Sequence, residues 1–151
     1  MDKNPHVADL LIEGEAFLDV AMRPHTCYYR PIHSIKSVPG LHGLAHITGG
    51  GLADNLRRIL PPEVNAEIDL STLRIPPLFT AIREQGQVSN EDMFCTFNLG
   101  VGIALVCSTD SIGKIVDQLN EFNLSAWKIG EIVSGKSEVR TLGEPCYGAI
   151  C

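Results

Sequence analysis

The stretch His42-Gly43-Leu44-Ala45-His46-Ile47-Thr48-Gly49-Gly50-Gly51, continued by Leu52-Ala53-Asp54-Asn55-Leu56-Arg57-Arg58-Ile59-Leu60, decides how this chain is read. Leu44, Ala45 and Ile47 have the character of a short, mostly buried strand. Three glycines follow. Apolar residues then recur at Leu52, Leu56, Ile59 and Leu60, the spacing of one helical face. Pro61-Pro62 ends that helix, since neither proline donates a backbone hydrogen bond and the first restricts Leu60. A strand that turns through glycines into a helix start lets the backbone come close to a ligand. The unpaired N–H groups and the positive dipole end there favour an anion, phosphate above all. The same glycines would equally make a tight turn with no ligand. His46 and Thr48 alternate onto one side of the strand end, and Arg57 and Arg58 lie one to two turns further on.

With 151 residues the chain has room for one domain with a proper core. Apolar residues at 44% and charged residues at 20% are globular values. A net charge of −6 excludes a general nucleic-acid binder, which works by neutralising phosphates, but permits one local anionic site. No apolar run reaches membrane-span length and the first residues lack a signal-peptide pattern, so no membrane partner and a cytoplasmic location are expected. The five cysteines are an odd number without a C-x-x-C pair. They read as reduced thiols, with Cys107 in the core, and neither a disulfide framework nor a structural zinc site is expected.

Residues 1–7 show no hydrophobic pattern and read as a loose or linker start, residues 8–142 as the domain, and 143–151 as a patternless tail. Leu10-Leu11-Ile12 precedes Gly14 and a helix over Glu15–Met22. Cys27–Arg30 reads as extended, and Pro31 as the first residue of a helix with Ile32 and Ile35 inward. Ala66–Leu70 alternates apolar and polar, as a half-buried strand does. Pro76-Pro77 starts a helix that ends near Gly86, and Ser89 caps one over Met93, Phe94 and Phe97. Ile103–Cys107 is the most hydrophobic strand and is expected at the centre of its sheet. Ser108-Thr109-Asp110 caps a helix carrying Ile112, Ile115, Val116, Leu119 and Phe122. Ala126–Val133 reads as strand bent at Gly130, and Val139–Leu142 as an edge strand. The expected fold class is α+β, one mixed sheet packed with helices.

Four ordered motifs resemble those of the phosphoribosylformylglycinamidine cyclo-ligase family, also called aminoimidazole ribonucleotide (AIR) synthetase. They are Gly43–Gly51 with Asn55 and Leu60-Pro61; Ala66–Leu70 with Ile75-Pro76-Pro77; Met93-Phe94-Cys95-Thr96-Phe97-Asn98-Leu99-Gly100-Val101-Gly102; and Trp127-Lys128-Ile129-Gly130-Glu131-Ile132-Val133. The resemblance covers roughly residues 8–135 and only the second of the family's two domains. It implies an AIR synthetase C-terminal-domain-like fold and the substrate-binding half of an ATP-dependent ligase. That enzyme closes the imidazole ring of aminoimidazole ribonucleotide from formylglycinamidine ribonucleotide in purine synthesis. ATP and Mg²⁺ would serve the complete enzyme, with none bound to this chain alone. The N-terminal domain, with its lysine- and aspartate-bearing signature, has no counterpart here, and no G-x-x-x-x-G-K-[ST] occurs. The chain alone is therefore expected to be inactive.

On this reading Thr48, Gly49, Gly50 and Gly51 bind the substrate's ribose 5′-phosphate, while His46, Asn98 and Gly100 lie near the substrate. His46 is also the candidate for acid–base work, which suits imidazole near neutrality. It could equally pack the strand end. Asn98 or Gly100 could instead form a left-handed helix C-cap. His42 and His46 share a strand face without a third ligand, so no metal is expected. Arg57 and Arg58 read as solvated or interdomain, and Asp54, which would repel phosphate, as pointing away. Pro24-His25-Thr26 stands where the family often has a Thr-Arg pair. Two other readings stand beside this one. One is half of a related superfamily kinase or synthetase, and the other a non-catalytic domain that binds a phosphometabolite or a partner. Apolar surface that a missing domain would cover predicts a homo-oligomer.

Overall fold

The computed structural model describes residues 10–148. The expected loose start at 1–7 and the last three residues lie outside that range. The domain is α+β, but its strands form three small sheets where one mixed sheet is expected. A two-residue hairpin pairs β1 (Leu11–Ile12) with β2 (Glu15–Ala16), ahead of α1 (Phe17–Ala21) and α2 (Tyr29–Ile35). β3 (Leu41–His46) is followed by α3 (Gly51–Arg57), β4 (Val64–Asp69), α4 (Pro77–Gly86) and α5 (Asn90–Thr96). β5 (Ile103–Cys107), α6 (Ile112–Asn120), β6 (Gly130–Ser134) and β7 (Val139–Leu142) complete the described chain.

β3 and β5 form an antiparallel ribbon with His46 opposite Ile103, and its register slips by one residue at His42. β4 is the centre of the other sheet, antiparallel to β6 and parallel to β7. β5 is thus half of a two-stranded ribbon and not a central strand. Of its residues only Ala104 is buried. Its apolar side chains are explained by what surrounds the ribbon. Leu105 and Cys107 pack on the cluster of Ile35, Val38, Ile115 and Leu119 that joins α2 to α6. β5 also lines an open cavity of about 650 Å³ bounded by α6 and β6.

The larger core gathers Ala45 and Ile47 from β3 and its end, Leu52 and Leu56 from α3, Ala66 and Ile68 from β4, and Met93 from α5. Leu52, Leu56, Ile59 and Leu60 all reach this core as the pattern implies, although α3 closes at Arg57 and both Ile59 and Leu60 lie past its end. Ser89 caps α5 as expected, its hydroxyl accepting the Asp92 N–H at 3.1 Å. Ser108 makes no side-chain cap; a 3₁₀ turn over Thr109–Ser111 leads into α6 instead.

Further boundaries differ from expectation. Glu15 and Ala16 are drawn into the hairpin, so α1 starts only at Phe17. α2 begins at Tyr29, which leaves Pro31 as its third residue, still among those first-turn positions whose N–H needs no helical partner. β6 begins only at Gly130, where any side chain would press on the Glu67 backbone, although Ile129 O already accepts the Asp69 N–H at 2.9 Å.

A buried amide ties β6 to β7. Asn65 is 1% exposed, and its Oδ1 accepts the N–H groups of Lys136 at 2.7 Å and Glu138 at 2.9 Å. The tail is less patternless than it reads. Tyr147 packs on the larger core under the Arg83 guanidinium, 4.9 Å from ring to cation. Cys146 is disulfide-bonded, which corrects the expectation that every cysteine is a reduced thiol. Cysteine spacing alone does not show which chain segments fold back on each other.

Candidate functional site

The site grows from the end of β3. Ile47 turns inward and is 1% exposed, and its N–H donates to Gly102 O at 2.9 Å, tying the strand end to the residue before β5. His46 and Thr48 on either side of it are exposed. Beyond Thr48 the chain makes a turn closed by Gly51 N–H donating to Thr48 O at 3.0 Å. Gly50 and Gly51 carry φ of 94° and 64°, a region that side chains with a Cβ avoid.

Asn55, buried in the second turn of α3, sets the orientation of that turn. Its Nδ2 donates to Gly51 O at 2.8 Å, Gly49 O at 3.2 Å and Thr48 O at 3.3 Å. A trans peptide holds its C=O and the following N–H on opposite sides. Drawing the Thr48 and Gly49 carbonyls inward therefore turns the Gly49 and Gly50 N–H groups outward. Neither N–H donates to a protein acceptor among the described residues. The result is a pair of main-chain donors beside the Thr48 hydroxyl.

Gly51 serves the turn differently from its expected role as a phosphate donor. Its N–H is already committed to Thr48, and its Cα is pressed on α5: a Cβ there would lie 2.9 Å from the Phe94 carbonyl carbon and closer still to its oxygen. Its absence of a side chain lets α3 and α5 touch. Asp54 also departs from expectation. It does not point away, since a Cβ on Gly50 would stand 2.6 Å from its Oδ2. Arg58 offsets this carboxylate through an exposed ion pair at 2.5 Å, so the acid lies against the turn as a neutralised pair.

The Asn98–Gly100 turn follows Phe97, whose carbonyl oxygen would be 3.4 Å from a Gly51 Cβ. The two turns are thus neighbours, as the substrate-proximal reading requires. They do not form a helix C-cap, because α5 closes at Thr96 and Phe97 is extended. Leu99 and Gly100 have φ of 49° and 92° instead, and Asn98 Oδ1 accepts the Gly100 N–H at 3.1 Å. Gly100 thus presents no free donor. It sits against Pro76 and Arg74 O, which a Cβ would approach to 2.5 and 2.9 Å.

His46 has neighbours that the sequence does not reveal. Its ring stands 5.6 Å from His25 and 6.2 Å from Tyr28, and those two are 5.5 Å apart, all in edge-to-face contact. Tyr28 hangs over Gly102, where a Cβ would lie 2.7 Å from its Cζ. No periodicity marks residues 22–28, so only the fold brings these rings to the strand end. His42 is elsewhere, its Nε2 2.9 Å from Ser108 Oγ. Among the described residues no group of three His, Cys, Asp or Glu could hold a metal ion. Nearby, burial pushes the Cys107 thiol up from its ordinary value, which leaves it a poor nucleophile.

This geometry defines a class: an α+β domain presenting main-chain donors at a strand–turn–helix corner, beside a second turn and an aromatic cluster. The family described as AIR synthase related protein, C-terminal domain, matches residues 7–143, and the chain belongs to it. The chain is 35% identical over 131 residues to the phosphoribosylformylglycinamidine cyclo-ligase of Staphylococcus saprophyticus, covering 87% of the chain and 38% of that protein. It is 36% identical over 126 residues to the protein of that name from Alkaliphilus metalliredigens, covering 83% and 36%. The chain thus spans little more than a third of these relatives' length. The crystal structure of E. coli HypE superposes with a TM-score of 0.62 at 20% identity, over 78% of this chain and 36% of HypE, and so shares its fold. No helix among the described residues is long and apolar enough to cross a membrane.

Proposed function

We propose that this chain is the C-terminal, substrate-binding half of an ATP-dependent cyclo-ligase that converts formylglycinamidine ribonucleotide to aminoimidazole ribonucleotide in purine synthesis. The observation that carries the reading is the outward pair of N–H groups at Gly49 and Gly50, fixed by Asn55 and flanked by Thr48. Two amides and a hydroxyl suit the three oxygens of a ribose 5′-phosphate. Of the four residues assigned to the phosphate, Thr48, Gly49 and Gly50 touch it and Gly51 shapes the turn. His46 and Asn98 border the rest of the substrate, with His46 the group placed to move a proton. Residues 8–142 form the domain that does this.

In this proposal ATP and Mg²⁺ belong to an N-terminal domain on other polypeptide, and the chain's own share is binding and orientation. Exposed Leu11, Leu18 and Met22 around the first hairpin and α1 support an apolar surface for that domain or for a second copy, in a cytoplasmic enzyme.

Ribose 5-phosphate titrated into the ¹⁵N-labelled chain is the test. The Gly49 and Gly50 amides should shift downfield together, and the chain should turn over formylglycinamidine ribonucleotide only when an N-terminal domain is added. Unmoved glycine amides at saturation sink the site. Turnover by the chain alone with ATP and Mg²⁺ sinks the half-enzyme reading. Binding without any turnover after an N-terminal domain is added favours the non-catalytic phosphometabolite domain.

A further inference from the structure

The end of the β3–β5 ribbon away from His46 holds a polar pair that the phosphate reading does not use. We propose that Ser108 and His42 form a nucleophile–base pair that hydrolyses small apolar acyl esters, with the cavity beside them holding the acyl group. His42 Nε2 and Ser108 Oγ are 2.9 Å apart. A bulge brings them together. Leu41 faces Cys107 and Gly43 faces Val106, so His42 is an extra residue with no partner across the ribbon. Such a bulge re-aims its side chain out of the regular alternation, and here it meets the first residue past β5. That residue is itself held, since Ser108 N–H donates to Gly40 O at 2.8 Å. Its hydroxyl makes no cap to the 3₁₀ turn that follows, which leaves it to the imidazole.

Ser108 thus stands where a strand passes into a helical segment, with a base in hydrogen-bond contact, an arrangement that activates a serine. With the ring proton on Nδ1, His42 Nε2 accepts from the hydroxyl and can take its proton. The Thr109 N–H, next after the nucleophile, donates to no protein acceptor among the described residues and is available to an oxyanion. Both side chains line a cavity of about 300 Å³ walled by Ile59, Leu60, Val64, Val106 and Ile132. No Asp, Glu, Lys or Arg among the described residues lines it, so it suits a short aliphatic or aryl acyl group and not an ionic one. In the reaction Ser108 Oγ bonds to the acyl carbon while its proton passes to His42 Nε2. The C–O bond to the alcohol then breaks, and the alcohol leaves with that proton. Water attacks the acyl carbon and gives a proton to His42. The Oγ–C bond breaks, the proton returns to Ser108, and the acid is released.

p-Nitrophenyl acetate and diisopropyl fluorophosphate, the latter followed by peptide mapping, test this on the whole chain. A burst of nitrophenolate equal to the amount of chain is expected, with the phosphoryl label on Ser108. Ser108→Ala should abolish both. His42→Ala, at an exposed position, should slow acylation by about 100-fold or more. His42→Gln can still hydrogen-bond the hydroxyl but takes no proton, so it should lose as much. Exposed Cys27 and Cys95 are the competing nucleophiles, and replacing both by serine should leave the burst unchanged. A phosphoryl label on another residue, a burst that survives in Ser108→Ala, or either His42 variant reacting at the parental rate would overturn the proposal. So would a chain inert to both reagents, or a burst lost with the two cysteines.

Discussion

Replacing Gly51 by alanine tests the account of the glycine turn most directly. The added Cβ would stand 2.9 Å from the Phe94 carbonyl carbon. The carbonyl oxygen is closer to that Cβ than the carbon is and sets the limit, so α3 and α5 must part by more than about 1 Å, which forfeits at least about half of each contact's attraction across that seam. Leu52, Leu56 and Met93, all buried, lie in the core that these helices share. Overpacking of this kind costs about 1–3 kcal/mol, and holding alanine at φ 64° adds about 1–2 kcal/mol. A loss near 3 kcal/mol is expected, which lowers Tm by roughly 6–12 °C in a domain of this size. The matched control is Gly49→Ala, where the space is open and φ is not positive. It should change stability by less than about 0.5 kcal/mol, or raise it slightly by stiffening the unfolded chain. Urea unfolding followed through the single tryptophan, Trp127, reads both. The reasoning is refuted by a Gly51→Ala protein as stable as its parent, or by a Gly49→Ala protein that falls as far.

Asn55→Leu removes the donor that gathers three carbonyls, and should cost about 2 kcal/mol while abolishing the ribose 5-phosphate shifts at Gly49 and Gly50. A variant that still binds would show the turn to be set by its glycines alone. Tyr147→Phe deletes a hydroxyl that is buried with no hydrogen-bond partner among the described residues, so it should be neutral or stabilising by up to about 1 kcal/mol in urea, whereas a clear loss would mean the hydroxyl is satisfied in solution. Burial raises the Cys107 thiol above its ordinary 9.0 and the Tyr147 phenol above 10.0, the latter opposed by Arg83. The folded state then keeps these protons to higher pH than the unfolded state. Stability should be level below pH 9 and fall as pH rises above it, with Cys107→Val flattening the first part of the decline. An alkaline limb unchanged in that variant would rule the thiol out. Exposed Cys27 and Cys95 should also be alkylated before Cys107, as peptide mapping by mass spectrometry would show.

What could be read from the residues was whatever local chemistry dictates. Apolar spacing in α3, the Ser89 cap and the proline start of α4 depend on neighbours within one turn of chain, and they fold as their spacing implies. Ile103–Cys107 misleads because uniform hydrophobicity records only that water is kept away, not by what. A strand flanked by two sheet partners and one lying on a helix while walling a cavity have the same composition. The single sheet expected from the sequence fails for this reason. The candidate site divides in the same way. Thr48, Gly49 and Gly50 are marked by the glycine run itself, while His25 and Tyr28 reach His46 only because α2 is docked beside the ribbon.

The two buried asparagines carry this further. Asn55 and Asn65 look alike as isolated polar residues next to apolar ones, yet each organises a loop by pairing main-chain groups that the regular elements leave over. Asn55 offers a donor to carbonyls and so frees N–H groups for a ligand. Asn65 offers an acceptor to N–H groups and so consumes them. The atom that each amide turns toward its loop therefore decides whether that loop can bind an anion or only hold its shape. An anion that shifted the amides of Lys136 and Glu138 as readily as those of Gly49 and Gly50 would contradict that distinction.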